Sequence, residues 1–139
     1  MRFMIIVRAT AESETETAPA VDTELLDEMV AYHQQLSEAG VLLDGAGLRP
    51  SRDGWRIRYS GGQRTVTDGP FGEVKELIAG YTVIQVPSRE AAMEWARRFP
   101  SPFGPADCEI EVRRLWETKD FPPCDAINSL RQITEGQPG

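Results

Sequence analysis

The sequence predicts a single α+β domain, because segments typical of strands and of helices alternate along most of its 139 residues. Two apolar runs of strand length, residues 3–7 and 78–86, are each followed by a segment with the 3.6-residue period of a helix. Two shorter strands and one hairpin complete the pattern. The order strand, helix, strand, hairpin, strand, helix, strand is that of a ferredoxin-like unit with an inserted β-hairpin.

The first third of the chain predicts one strand and one helix. The continuous apolar run at residues 3–7 is typical of a buried central strand. Residues 9–20 are rich in Glu and Thr and poor in large apolar side chains, so we expect an exposed loop there. A helix is predicted over residues 22–39, because Asp22 is a suitable N-cap, apolar residues repeat at helical spacing and a glycine follows.

The middle of the chain predicts a short strand and a hairpin. Residues 41–43 are apolar, and the two glycines and the proline of residues 45–50 are expected to end that strand in a loop on the ligand side. Residues 55–59 alternate apolar with basic side chains, which is typical of a half-exposed strand. Two glycines at 61–62 separate this strand from residues 64–67, so the pair predicts a hairpin.

The remaining segments complete the domain. Residues 78–86 predict a second buried strand, residues 89–99 a helix ended by prolines, and residues 109–115 a last strand with alternating side chains. We therefore expect the domain to span residues 1–116. Residues 117–139 contain two adjacent prolines and only a weak helical pattern, so they predict a C-terminal arm.

Composition and charge exclude several classes of function. With 22 acidic and 15 basic residues, the net charge is −7, which disfavours nucleic acids and anionic membranes as partners. No apolar run approaches the ~20 residues that span a bilayer, and the start is too short for a secretory signal. Cys108 and Cys124 form neither a disulfide framework nor a zinc motif. A cytoplasmic location is predicted.

The sequence lacks the common catalytic and cofactor motifs. It contains no Gly-x-Gly-x-x-Gly, no phosphate-binding Gly-Lys-Ser/Thr, no Gly-x-Ser-x-Gly and no His-Glu-x-x-His. Nucleotide-binding, serine-hydrolase and zinc-protease functions therefore have no support. We expect a site with no cofactor and no metal.

The stretch Thr-Asp-Gly-Pro-Phe-Gly-Glu-Val-Lys-Glu at residues 67–76 combines a turn signature with four ionisable side chains. Asp68 is a candidate catalytic base, provided that partial burial raises its pKa, and the alternative is an Asx turn that only shapes the loop. Glu73, Lys75 and Glu76 are candidates for binding an anionic substrate, and the alternative is a salt-bridged rim.

Other candidate residues lie outside this loop. His33, the only histidine, falls within the apolar stripe of the predicted helix, where it acts as acid or base or is a core histidine with one hydrogen bond. Arg49 follows two glycines and can bind a carboxylate with two hydrogen bonds, and Arg113 can reach the same cleft. Ordinary surface pairing is the alternative for both. Tyr81 supplies a phenolic donor or packs as an amphipathic residue.

Four blocks of sequence, in order, resemble the DGPF branch of the YCII-related proteins over roughly residues 1–115. These blocks are residues 45–50, residues 67–81 with Thr-Asp-Gly-Pro-Phe, residues 91–96 and residues 109–113. The resemblance implies a ferredoxin-like unit that pairs into a dimeric α+β barrel, and a biochemical function that is poorly defined. The simpler YCII branch carries its candidate catalytic histidine about one helical turn before His33, where this chain has Met29.

These observations lead to two hypotheses of function. The first is an enzyme that transfers a proton on a small anionic substrate, with Asp68 or His33 as base and Arg49 or Lys75 as the anion-binding group. The second is a non-catalytic ligand-sensing or partner-binding module that uses the same cleft. A homodimer is predicted in both cases, because two long helices can cover only one face of the sheet.

Overall fold

The computed structural model describes residues 1–15 and 22–135. The strands are β1 (Arg2–Arg8), β2 (Leu42–Gly47), β3 (Trp55–Ser60), β4 (Gln63–Asp68), β5 (Ile78–Gln85) and β6 (Ile110–Arg114). The helices are α1 (Ala11–Thr15), α2 (Thr23–Glu38), α3 (Arg89–Arg97) and α4 (Asp125–Thr134), and short 3₁₀ helices lie at Ser51–Asp53, Val74–Glu76 and Thr118–Asp120.

The strands form two antiparallel sheets. The larger sheet has the order β2-β5-β1-β6, and β3 pairs with β4 in a separate two-stranded sheet. This α+β arrangement is consistent with the predicted ferredoxin-like unit and its inserted hairpin. The larger sheet is open in the single chain and does not close into a barrel.

The hydrophobic core lies between one face of the larger sheet and the helices α2 and α3. Its buried side chains come from both layers and are Phe3, Ile5, Ile84 and Val86 of the sheet side, Tyr32 and Leu36 of α2, and Ala92 of α3. The opposite face of the sheet carries Met4, Ile6 and Val83, which are all partly exposed. In the part of the chain that the structure describes, neither α2 nor α3 packs on that face, and its apolar side chains stay partly exposed.

Helices α2 and α3 begin where the sequence predicts. The Asp22 side chain accepts hydrogen bonds from the N–H groups of Glu24 and Leu25, and the Ser88 side chain accepts one from Ala91. These bonds satisfy N–H groups that have no partner within the first helical turn. The predictions of a helix over residues 22–39 and of a second one from residue 89 are therefore confirmed.

Two local predictions are wrong. Residues 11–15 form a helix rather than a loop, because Thr10 and Ser13 exchange hydrogen bonds of 2.9 and 3.1 Å at its start. Residues 16–20 of the same predicted loop lie outside the described residues. The strand expected to end near residue 43 continues to Gly47, because β2 pairs with β5 up to that residue. Glycine at position 80 permits this close pairing, since a Cβ there would lie only 3.0 Å from the Ala46 carbonyl oxygen.

The arm that follows β6 is held together by hydrogen bonds to Thr118 and pairs with the domain through Glu117. The Thr118 side chain is buried, and its hydroxyl donates to Glu135 at 3.0 Å and accepts from Arg131 at 3.3 Å. Next to it, Arg2 pairs with Glu117 at 3.4 Å. Burial alone would raise the pKa of Glu117, but Lys119, the N-terminal amine and Arg2 outweigh it and lower that pKa.

Candidate functional site

A cleft of about 1200 Å³ lies between α2 and the β2–β5 edge of the larger sheet. Apolar side chains form much of its lining, among them Leu25, Leu26, Met29, Leu42, Leu48 and Phe99. Its polar lining groups are His33, Thr82, Arg49, Arg52 and three aspartates, Asp22, Asp44 and Asp53. A concave, mainly apolar surface with few polar groups is typical of a site for small organic molecules.

His33 lines this cleft, and each of its ring nitrogens has a hydrogen-bond partner. Its Nδ1 lies 2.8 Å from the Met29 carbonyl oxygen, and its Nε2 lies 2.8 Å from the Thr82 hydroxyl oxygen. A carbonyl oxygen only accepts hydrogen bonds, so Nδ1 carries the proton and donates it. In the neutral ring, Nε2 therefore has a lone pair that accepts from Thr82.

The surroundings of His33 fix its ring and leave space above it. The rings of Tyr32 and Phe99 meet the imidazole edge to face, at centroid distances of 5.6 and 6.2 Å. Gly45 lies next to the His33–Thr82 pair, where a Cβ would be 3.7 Å from Nε2 and 3.6 Å from the Thr82 hydroxyl oxygen. Because glycine at position 45 has no side chain, the approach to Nε2 is open.

Two other predicted site residues line the same cleft. Arg49 pairs through Nε with Asp53 at 3.0 Å, and its side chain is 80% exposed, so its terminal nitrogens face solvent. The Tyr81 hydroxyl donates to Asp44 at 3.4 Å. Tyr81 pairs with Ile6, so its side chain lies on the sheet face opposite Thr82, and Tyr81 borders the cleft through its backbone. The structure thus brings the side chains of His33 and Arg49 to one cleft.

The Asp-Gly-Pro-Phe loop packs against the 3₁₀ helix at Ser51–Asp53. The Gly69 N–H donates to the Gly54 carbonyl at 2.9 Å, and the Phe71 N–H donates to the Ser51 hydroxyl oxygen at 3.0 Å. The Glu14 carboxylate accepts from both the N–H and the hydroxyl of Ser51, at 3.0 and 2.5 Å. Ser51 therefore joins this loop to α1.

The other predicted residues lie away from the cleft. Asp68 ends β4, is exposed and does not line the cleft, and His33 bonds Met29 and Thr82 rather than Asp68. Glu73 and Lys75 are exposed, and Glu76 lines a separate cavity of about 250 Å³ with Arg49. In the described part of the chain, these three side chains form no ion pair with one another. Arg113 pairs with Glu111 at 3.3 Å, on the face of the sheet opposite the core.

Sequence analysis missed Thr82 and Gly45. The signal for Thr82 was available, because it is the polar side chain among the positions of β5 that alternate toward the core, between Gly80 and Ile84. Gly45 was interpreted as a breaker, although it lies within β2 beside His33. Only the pairing of β2 with β5 places it there.

Residues 1–15 and 22–135 contain neither a metal-binding cluster nor a helix that could span a membrane. In these ranges, no three His, Cys, Asp or Glu side chains form a group that could hold a metal ion. None of the helices there has the length and apolar character needed to cross a membrane. Cys108 and Cys124 are both free thiols.

The fold and the cleft together define a small α+β protein with a mainly apolar cleft between a helix and an antiparallel sheet. The chain belongs to the YCII-related domain family, whose model matches residues 1–119. It is also 34% identical over 94 residues to an uncharacterized protein of Rhizobium meliloti (strain 1021), an alignment that covers 68% of this chain and 75% of that protein. The family resemblance is confirmed, and the DGPF branch stays a prediction.

Proposed function

We propose that the cleft binds a small organic molecule with an apolar body and one acidic group, and that His33 transfers a proton on this molecule without a cofactor. The observation that carries the proposal is the His33–Thr82 pair, which places an imidazole lone pair at a mainly apolar cleft. Arg49 supports an acidic group, since a guanidinium has five N–H donors and this side chain, paired with Asp53 through Nε, is 80% exposed.

The hydrogen bonds of His33 suit it to act as a general base. A substrate that enters beside Gly45 would replace the Thr82 hydroxyl at Nε2 and give up a proton to that nitrogen. The positive imidazolium so formed keeps its Nδ1–H bond to the Met29 carbonyl, which stabilises it. Return of the proton to another atom of the substrate would complete an isomerisation, and loss of a leaving group would complete an elimination.

A non-catalytic binding module is the second candidate, and it is favoured by the fact that both ring nitrogens of His33 already have partners. Exchange of ligand protons with D₂O distinguishes the candidates, because a general base catalyses this exchange and a binding module does not. In both cases a catalytic role of Asp68, which lies outside the cleft, stays a prediction from the sequence.

We also propose that the protein is cytoplasmic.

Gly45→Ala is expected to weaken binding of a small carboxylic acid about tenfold, which corresponds to ~1.4 kcal/mol. The added methyl group would lie at ordinary contact distance from His33 and Thr82, so it fills the approach to Nε2 without disturbing β2. Ligands would be found by a thermal-shift screen of aliphatic and aromatic carboxylic acids, and affinities measured by calorimetry.

The matched control is Gly47→Ala, because Gly47 lines the same cleft and its added Cβ would meet no atom within 4 Å. This variant should bind as the unchanged protein does. Equal affinity of the Gly45 and Gly47 variants would contradict a binding site at His33. A screen in which no carboxylic acid binds would contradict the proposed ligand class.

We further propose that the chain forms a homodimer, in which a second copy covers the sheet face of Met4, Ile6 and Val83. Each Å² of apolar surface buried contributes about 25 cal/mol, so this face favours association. Light scattering at micromolar concentration should give twice the chain mass of 15.5 kDa. A mass equal to that of one chain would contradict the dimer and the dimeric barrel.

A further inference from the structure

The cleft beside α2 is elongated. The chain reverses direction between α2 and β2, so these two elements run antiparallel along it. His33 lies eleven residues after Asp22, which is about 16 Å along a helix axis, and both residues line the cleft. On the opposite wall, Gly45 and Arg49 are separated by roughly 13 Å of extended chain. Since His33 lies beside Gly45, Asp22 and Arg49 both lie toward the other end of the cleft.

The end of the cleft at His33 is apolar. The ring of Phe99 meets the imidazole edge to face, and Phe103, four residues further on, also lines the cleft. Between the two ends, Leu26 and Leu48 line the walls although they are 57% and 44% exposed. Large apolar side chains in a cleft that remain open to solvent favour a ligand whose apolar part covers them.

The other end of the cleft carries the exposed cation Arg49. The aspartates of the cleft already have partners: Asp22 accepts from N–H groups in the first turn of α2, Asp44 accepts from the Gly45 N–H, and Asp53 pairs with Arg49. The Arg49 side chain is 80% exposed and has donors beyond the Nε that Asp53 contacts. A guanidinium presented in this way suits a carboxylate.

We propose that the cleft binds an extended aliphatic carboxylic acid, with its carboxylate at Arg49, its chain against α2 and its far end beside His33 and Phe99. Allowing for the length of the arginine side chain, the two ends of the ligand are on the order of 10 Å apart. A C–C bond of ~1.5 Å advances an extended chain by roughly 1.3 Å, so about eight carbons span this distance. A proton that His33 takes therefore comes from a position remote from the carboxylate. The inference rests on the proposed function and names the ligand class of the same cleft.

The first test compares butanoic, hexanoic, octanoic and decanoic acids by calorimetry, below the concentrations at which they form micelles. Affinity should rise about fourfold for each added carbon, because each methylene group leaves water for apolar surroundings. Equal affinity for butanoic and decanoic acid would overturn the extended ligand and leave the proposed acid site intact. If compact aromatic acids bind and decanoic acid does not, the result is the same. If no carboxylic acid binds, both proposals fail.

The second test locates the chain of the ligand. Leu26→Gln replaces an exposed apolar side chain of the cleft by a polar residue that also favours helices, and the dissociation constant of decanoic acid should rise about fivefold or more. Val30→Gln is the matched control, because Val30 is also 57% exposed on α2 but does not line the cleft. Its dissociation constant should stay within about twofold of that of the unchanged protein. An equal effect of the two variants would overturn the placement of the chain against α2.

The third test locates the carboxylate. Arg49→Gln should weaken binding of decanoic acid about tenfold and leave binding of 1-decanol, which carries no charge, within about twofold. An equal loss for the acid and the alcohol would overturn the placement of the carboxylate at Arg49. Thermal unfolding of each variant without ligand verifies that it is folded, so that a change in affinity reports on the contact.

Discussion

Gly69→Ala should destabilise the protein by about 3 kcal/mol, near the upper end of the usual cost of overpacking. A Cβ at this position would lie 1.8 Å from the Ser51 carbonyl oxygen and 2.6 Å from the Ser51 carbonyl carbon. Both are backbone atoms, so no side-chain rotation relieves the clash. The loop must move away from Ser51 and lose the Gly69–Gly54 and Phe71–Ser51 hydrogen bonds. Urea unfolding measures the loss.

Gly72→Ala is the matched control in the same loop, because its added Cβ would meet no atom within 4 Å. Its free energy of unfolding should change by less than about 0.5 kcal/mol. Amide hydrogen exchange at Phe71 adds a local measurement, since the Gly69 variant should lose protection there even if the loop opens without global unfolding. Unchanged stability together with unchanged protection at Phe71 would show that the loop at Gly69 does not pack against Ser51 as described.

This loop illustrates how far sequence reasoning reaches. Asp-Gly-Pro predicts a turn from the local properties of its residues, and the chain bends at Gly69 directly after β4. The surface on which the turn packs is set by Ser51 and by Glu14 of α1, which lie 17 and more residues away in sequence. A local pattern contains no information on such distant partners. The prediction of a site at this loop therefore rests only on its turn signature and its ionisable side chains.

The elements that could be predicted are those whose signal is local. The period of apolar residues and the caps at Asp22 and Ser88 located α2 and α3 closely. The helix α1 was missed because its stabilising bonds come from Thr10, Ser13 and the contact of Glu14 with Ser51, with no apolar period. Tertiary contacts override weak local propensity at such places.

The candidate site was predictable only in part, for the same reason. His33 was identified from its type and its place on α2, and Arg49 from its position after two glycines. The identity of the partner of His33 depends on how β5 pairs with β2 and packs under α2, which places Thr82 at 2.8 Å from Nε2. Once this register is known, the cleft is located between the helix and the sheet edge rather than at the loop.

Tyr32, which packs against the His33 ring, should make the stability of the protein fall at alkaline pH. Burial raises the pKa of Tyr32 from 10.0 to about 12, and the nearby Arg98 opposes this shift. The unfolded chain releases the phenolic proton above pH 10, whereas the folded protein keeps it until about pH 12. Stability from this group is therefore fully present below pH 10 and is lost as the pH rises through 12, by up to roughly 3 kcal/mol.

Tyr32→Phe removes this titration, together with the hydrogen bond that the hydroxyl donates to the Trp95 carbonyl at 2.6 Å. The variant should be less stable by ~1 kcal/mol at pH 8, but between pH 9 and pH 11 it should lose about 1 kcal/mol less than the unchanged protein. Tyr59→Phe, at an exposed tyrosine, is the control and should follow the unchanged protein. Urea unfolding at the two pH values gives each difference. If Tyr32→Phe and Tyr59→Phe lose the same stability on this change of pH, Tyr32 is not buried against Trp95 as described, and the helix packing that positions His33 must be revised.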